Sequence, residues 1–85
     1  MATVTLRYWA AAREAAGVTE QVVAADTLAA ALELAGSAAV RPRLVPVLAR
    51  SSFLIDGTQV GRRGAESVQL TDGAVIEVLP PFAGG

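Results

Sequence analysis

The chain has no cysteine, no histidine and no lysine, and its seven basic residues, all arginine, stand against eight acidic residues. The absence of cysteine excludes disulfides and iron–sulfur clusters. The absence of histidine removes the side chain that titrates near neutral pH and the commonest metal ligand. The near balance of charge gives no electrostatic footprint for nucleic acid. These side chains are therefore poorly equipped to catalyse a reaction on their own.

Long apolar runs are also missing. No stretch approaches the roughly 18 apolar residues that a membrane helix needs, and residues 1–4 do not begin a basic segment followed by an apolar one, so we read no signal peptide. The 85 residues, 53% of them hydrophobic and 18% charged, suit one small domain with a modest core. We expect a cytoplasmic protein that binds neither nucleic acid nor membranes.

The first quarter of the chain contains two candidate strands around a short helix. Residues 3–9 alternate and are rich in β-branched and aromatic side chains, which predicts a half-buried strand. Residues 10–16 favour a helix that stops at Gly17, a residue suited to helix C-termini. A second short strand is predicted within residues 18–25. The connection is short enough for the two strands to pair antiparallel.

The clearest helix follows. Thr27 is a good N-cap, and apolar residues recur from Leu28 at the spacing of one helix face until Gly36. Residues 37–50 leave two alternatives open, because Pro46 interrupts a helical spacing. They form either a short helix that starts near Pro46 or irregular structure packed on the core.

The last third of the chain predicts a hairpin and a final strand. Asp56-Gly57 separates residues 53–55 from residues 58–60 and suits a type I′ turn, whose central residues both need positive φ. Residues 74–79 alternate and predict a strand, with Ile76 and Val78 on one face.

This order of elements predicts an α+β fold, a roll of the β-grasp (ubiquitin-like) kind. We expect a mixed sheet of about four to five strands covered by one main helix. The last strand can lie parallel to the first because a crossover that contains the helix separates them. The predicted domain spans residues 1–79, and residues 80–85 form a flexible tail.

The tail combines a stiff start with a very small end. Pro80 and Pro81 stop the strand, since neither can donate to a ladder. After Phe82, no side chain extends beyond a methyl group, and the chain ends in Gly84 and Gly85. Such a tail can enter a channel too narrow for ordinary residues, although two terminal glycines can also be a frayed end.

These features resemble the MoaD/ThiS family of ubiquitin-like sulfur carriers, and are closest to its branch of small molybdopterin synthase subunits. The resemblance rests on Asp72-Gly73 followed by a strand and the tail 80–85, and on the segment 8–14 followed by Gly17. It covers nearly the whole chain, but only the tail is specific. Where the family often has Val-Asn before its hairpin, this chain has Ile55-Asp56.

The resemblance implies a role for the C-terminal carboxylate. In the family, an E1-like (MoeB-like) enzyme adenylates this carboxylate with ATP-Mg, and sulfur then displaces AMP to leave a thiocarboxylate. Gly85 would carry the adenylate and the sulfur, and Gly84 would lie beside it in the tunnel of a large (MoaE-like) subunit. The chain itself would then be a non-catalytic sulfur-donating subunit that binds no cofactor and no metal.

The resemblance also implies which residues contact partners. Arg13 aligns with an arginine near the activating enzyme, although a solvated helix charge explains it equally well. Phe82 is either an anchor on the partner or folds back on its own domain. The expected docking residues are Phe82, Leu79, Val60, Pro80 and Pro81.

Three other functions remain open from the sequence. A sulfur carrier for thiazole (thiamine) or cysteine synthesis would keep the tail chemistry and change the acceptor. A ubiquitin-like modifier would be conjugated to lysines of other proteins, but without lysine it could not build side-chain-linked chains on itself. The third is a binding module with an inert tail.

Overall fold

The computed structural model describes residues 1–61 and 64–81 of the chain. A single 3₁₀ turn, Ala65–Ser67, lies between the hairpin and the last strand. The strands and α-helices, in chain order, are β1 (Thr3–Tyr8), α1 (Ala10–Ala16), β2 (Glu20–Ala24), α2 (Leu28–Ala35), α3 (Leu44–Arg50), β3 (Ser52–Ile55), β4 (Thr58–Gln59) and β5 (Val75–Leu79).

The five strands form one mixed sheet in the order β2-β1-β5-β3-β4. β1 pairs antiparallel with β2 and parallel with β5, and β3 pairs antiparallel with both β5 and β4. The last strand therefore lies in the middle of the sheet, beside the first. This α+β topology confirms the predicted β-grasp fold and the predicted parallel pair.

The core lies between one face of the sheet and the helices. Alternation along β1 and β5 sends every second side chain inward, and α2 covers them with the face that carries Leu28, Ala31 and Ala35. The largest fully buried side chains are Leu6, Leu28, Leu44, Ile76, Val4 and Val78.

Local signals set the bounds of the first two helices as predicted. Gly17 ends α1 with a φ of 79°, the left-handed conformation that glycine adopts without strain. The Thr27 side chain accepts a hydrogen bond from the Ala30 N–H at 3.2 Å, which caps the start of α2. The predicted type I′ turn is confirmed as well, since Asp56 and Gly57 have φ values of 49° and 84°.

The ambiguous segment 37–50 contains α3, which begins two residues before Pro46. Pro46 lies in the first turn of this helix, where a backbone N–H has no acceptor within the helix, so the proline costs no hydrogen bond. The loop before α3 supplies Arg41. Its Nε donates to the carbonyl of Ala16 at 3.2 Å, and its Nη1 lies 3.5 Å from the carbonyl of Ala35. The Arg41 guanidinium thus contacts the C-terminal ends of both α1 and α2, where a positive charge is favourable.

Tyr8 makes stability depend on alkaline pH. Its buried hydroxyl donates to Gln21 Oε1 at 2.9 Å, and burial raises its pKa above the ordinary value, while nearby Arg41 acts in the opposite direction. Above about pH 10 the unfolded chain loses this proton before the folded chain does, so stability is complete below that pH and falls as the pH rises.

We expect the urea midpoint of the wild type to fall above about pH 10, and that of Tyr8→Phe to fall less. At neutral pH the variant should lose about 0.5–1.5 kcal/mol with the hydrogen bond. The test is clean because the sequence has one tyrosine and neither lysine nor cysteine. Equal alkaline slopes for the two proteins would refute the assignment.

Candidate functional site

The outer face of the sheet, away from the helices, carries the candidate site. The register aligns Arg7 and Leu54 with Glu77, and Ser52 with Leu79, so these side chains share that face. Val75, Leu54 and Leu79 are half-buried there, on the face opposite to the one that carries the buried Ile76 and Val78. The face is therefore a partly apolar surface with a charged centre. Ile76 and Val78 share the other face, as predicted, and that face is the buried one.

The chain leaves the sheet at one end of this face. β5 runs between β1 and β3, and the Trp9 N–H donates to the Val78 carbonyl at 3.3 Å, which places Trp9 next to Leu79. Pro80 is buried and Pro81 is exposed. The segment that leads to the C-terminus thus starts from the middle of the sheet, held by a neighbouring strand on each side. Trp9 and Leu79 therefore border the point where the chain leaves the sheet.

A cluster of charged and aromatic side chains borders this exit. The Arg7 guanidinium lies 5.9 Å from the centre of the Trp9 ring, within the range of a cation–π contact. Arg7 Nε also lies 3.5 Å from Glu20 Oε2, and both of these side chains are about half exposed. Such an exposed pair contributes little to stability.

Arg13 faces the same cluster across a shallow depression of about 210 Å³ that Arg7, Tyr8, Trp9, Arg13, Thr19 and Glu20 line. It is exposed, and the structure of residues 1–61 and 64–81 gives it no ion pair or hydrogen bond from its side chain. The structure thus brings Arg13, Trp9 and Leu79 to one end of the molecule. A contact between Arg13 and a partner stays a prediction.

Val60 lies elsewhere. Its N–H donates to the Phe53 carbonyl at 3.1 Å, which puts its side chain on the same side of the sheet as Phe53 and Val78. It is 7% exposed. The structure therefore places Val60 on the core side and not beside Leu79. The predicted tail residues Phe82, Gly84 and Gly85 lie outside the described residues, as do Arg62 and Arg63.

Sequence reasoning had not singled out Arg7, Glu20 or Leu54 for the site. Arg7 and Leu54 are brought together because both pair with Glu77 on β5. This register between strands cannot be predicted from the periodicity of a single strand. Within the described part of the chain, no group of three or more acidic side chains could hold a metal ion. None of its helices is long and apolar enough to cross a membrane.

The backbone at the start of α1 is strained. Ala10 follows Trp9 with a φ of 49°, a conformation that costs a residue with a β-carbon about 1–2 kcal/mol. We expect Ala10→Gly to stabilise the protein by roughly 0.5–1 kcal/mol. The matched control is Ala11→Gly, at the next and exposed position of the helix, which should lose about 0.5–1 kcal/mol. Urea unfolding measures both, and a change of the same sign in the two variants would contradict the strain.

Comparisons with known proteins identify a family and structures of the same fold. A sequence model of the ThiS family matches residues 6–85. The search of curated proteins gave no match. The solution structure of small archaeal modifier protein 1 (SAMP1) from Methanosarcina acetivorans superposes with a TM-score of 0.83 at 25% identity, over 100% of this chain and 98% of that one.

Two further structures share the fold at 20% identity. One is described as molybdopterin converting factor subunit 1 of Pyrococcus furiosus, with a TM-score of 0.77 over 96% of this chain and 100% of that one. The other belongs to a complex of subunits 1 and 2 of the molybdopterin-converting factor from Helicobacter pylori, with a TM-score of 0.65 over 98% and 99%. The family match covers almost all of the sequence and includes the tail. The chain therefore belongs to the ThiS family, the MoaD/ThiS group of ubiquitin-like sulfur carriers.

Proposed function

We propose that this chain is the sulfur-carrying subunit of a molybdopterin synthase. The observation that carries the proposal is the family match, which runs through the terminal Gly84-Gly85 on a β-grasp domain whose last strand is central. The strand order supports this role, because β5, which precedes the tail, lies in the middle of the sheet. Because β5 is held on both sides, a rigid body carries the tail, and the partly apolar face beside Leu79 is available to a partner.

The reactive group in this proposal is the main-chain carboxylate of Gly85. A carboxylate is a poor electrophile, so ATP-Mg on the activating enzyme first converts it to an acyl adenylate and releases pyrophosphate. A sulfide-level sulfur nucleophile then attacks the acyl carbon, and the bond to AMP breaks. The product is a thiocarboxylate, which is itself the nucleophile in the next step. The carrier therefore needs no cysteine or histidine of its own.

Two partners follow from this chemistry. An E1-like enzyme of the MoeB kind supplies adenylation and sulfur, and a large subunit of the MoaE kind takes the tail and transfers sulfur to the pterin precursor. The complex of subunits 1 and 2 in the Helicobacter pylori structure supports a large-subunit partner for a chain of this fold. The general acids, bases and any metal belong to those enzymes, and this chain binds no cofactor.

A second candidate function is a protein modifier. The likeness to SAMP1, at a TM-score of 0.83, favours it. In this case a lysine amine of a target protein, not sulfur, would attack the activated Gly85 carbonyl. A carrier for thiazole or cysteine synthesis is a third reading, and it differs from the first only in the acceptor.

One experiment separates the molybdopterin, thiazole and modifier functions. The chain in its thiocarboxylate form is mixed with a molybdopterin synthase large subunit and pterin precursor, and in parallel with a thiazole synthase and its substrates. We expect the first mixture alone to return the chain to its carboxylate mass while the pterin gains sulfur. Turnover only in the second mixture would place the chain in thiamine synthesis. Heavier conjugates in a lysate supplied with ATP would favour the modifier.

A further inference from the structure

The outer edge of the sheet at β2 exposes backbone hydrogen-bonding groups. The Tyr8 N–H donates to the Thr19 carbonyl at 2.9 Å, and the Ala25 N–H donates to the Ala2 carbonyl at 2.8 Å. Both bonds fit the β1–β2 register, in which hydrogen-bonded pairs alternate with pairs that are not hydrogen-bonded. The N–H and C=O groups of residues 20, 22 and 24 therefore point away from β1, towards open space.

This edge lacks the usual protection. Natural edge strands carry charged side chains (lysine above all), proline or a bulge that prevents pairing with another chain. β2 reads Glu-Gln-Val-Val-Ala and pairs with β1 over five residues without a bulge. The charge of Glu20 is engaged with Arg7. The side chain of Val22, at the centre of the strand, is 64% exposed.

We propose that β2 pairs antiparallel with β2 of a second copy, about a two-fold axis at Val22. In this register Val22 lies opposite Val22 of the other copy, and Glu20 lies opposite Ala24. All three outward residues of each strand then find a partner, which gives six hydrogen bonds. A shift of the register by two residues leaves one of the three outward residues of each strand without a partner. A shift by four residues in one direction sets Glu20 opposite Glu20 of the other copy. A shift by one residue sets the outward N–H and C=O groups of one copy opposite residues of the other copy whose backbone groups already bond to their own β1.

The strand is thus self-complementary in hydrogen bonding, and this register sets no like charges opposite one another. This is the reason to expect a second copy there. The paired sheets would have ten strands. Two strand spacings, about 10 Å, separate β2 from β5, so the end of each outer face at Leu79 stays accessible. A contact of five residues per copy covers much less than the roughly 1,600 Å² of a standard interface. We therefore expect weak association, visible at hundreds of micromolar.

The test uses a charge swap at the axis. Sedimentation of the full chain should show a mass that rises from 8.7 kDa towards twice that value with concentration. Amide NMR signals of residues 20, 22 and 24 should shift over the same range. Val22→Lys and Val22→Glu should each stay monomeric at least 10-fold beyond the wild-type midpoint, because each places like charges opposite one another. An equimolar mixture of the two should associate again.

Matched controls keep the inference falsifiable. Val45, on α3, is 40% exposed and lies away from β2, so Val45→Lys should associate like the wild type. Circular dichroism checks that each variant is folded. A wild type that stays monomeric at about 1 mM would overturn the proposal. So would Val22→Lys that associates unchanged, a mixture that stays monomeric, or association that Val45→Lys removes. None of these outcomes bears on the sulfur-carrier function.

Discussion

Replacing Ile76 with alanine should lower the free energy of unfolding by about 2–5 kcal/mol. Ile76 is 0% exposed, and it lies in the middle strand between Leu6 on β1 and Ile55 on β3. Removing its outer atoms loses their burial and leaves a cavity that two flanking strands prevent from closing. A domain of 85 residues has roughly 4–13 kcal/mol in total, so the variant should be close to unfolded at the lower end of that range.

Thermal and urea unfolding measure this loss. Each kcal/mol should lower the melting temperature by roughly 4–8 °C in a domain of this size. The control is Ile76→Val, which keeps most of the volume and should cost about 0.5–1.5 kcal/mol. A loss below about 1 kcal/mol for the alanine variant would mean that β5 is not the packed centre of the fold. It would also remove the mechanical argument that a rigid strand presents the tail.

Replacing Leu79 with aspartate should weaken binding to the large subunit by at least about 100-fold, or roughly 3 kcal/mol. Leu79 lies half-buried on the outer face beside Trp9, where the chain leaves the sheet. A carboxylate there would have to give up its hydration in the complex without gaining a partner, and this cost appears in the affinity.

Isothermal titration with the large subunit measures the change. Val45→Asp on α3 is the control, because it adds the same charge at a position on the helical side of the molecule and should leave the affinity nearly unchanged. Equal losses in the two variants would point to net charge as the cause. Unchanged affinity for Leu79→Asp in a folded protein would remove this end of the outer face from the docking surface.

Local chemistry made much of the fold predictable. The alternation of β1, the glycine that ends α1 and the Thr27 cap each act within a few residues, and the observed elements agree with them. The first strand ends at Tyr8, one residue earlier than predicted. The start of α3 was harder to predict from the sequence, because proline is unfavourable inside a helix but harmless in its first turn. No capping side chain before Leu44 indicates that the helix begins there.

The candidate site was predictable only in part. The parity of β5 correctly separated Ile76 and Val78 from Leu79. Alternation along β1 places Arg7 and Trp9 on one face, but the approach of Glu20 to Arg7 depends on strand register, a property of pairs of strands that one strand's pattern does not contain. Val60 shows the same limit, since its pairing with Phe53 turns it to the core side.

The proposed function requires that the C-terminal carboxylate of Gly85 accepts sulfur. The most direct measurement is the intact mass of the chain after incubation with a MoeB-like activating enzyme, ATP-Mg and a sulfur source. We expect a single increase equal to the exchange of one oxygen for sulfur, dependent on ATP, located at Gly85 by fragmentation and absent when Gly85 is deleted. An unchanged mass in the full chain, or an increase that persists without Gly85, would contradict it.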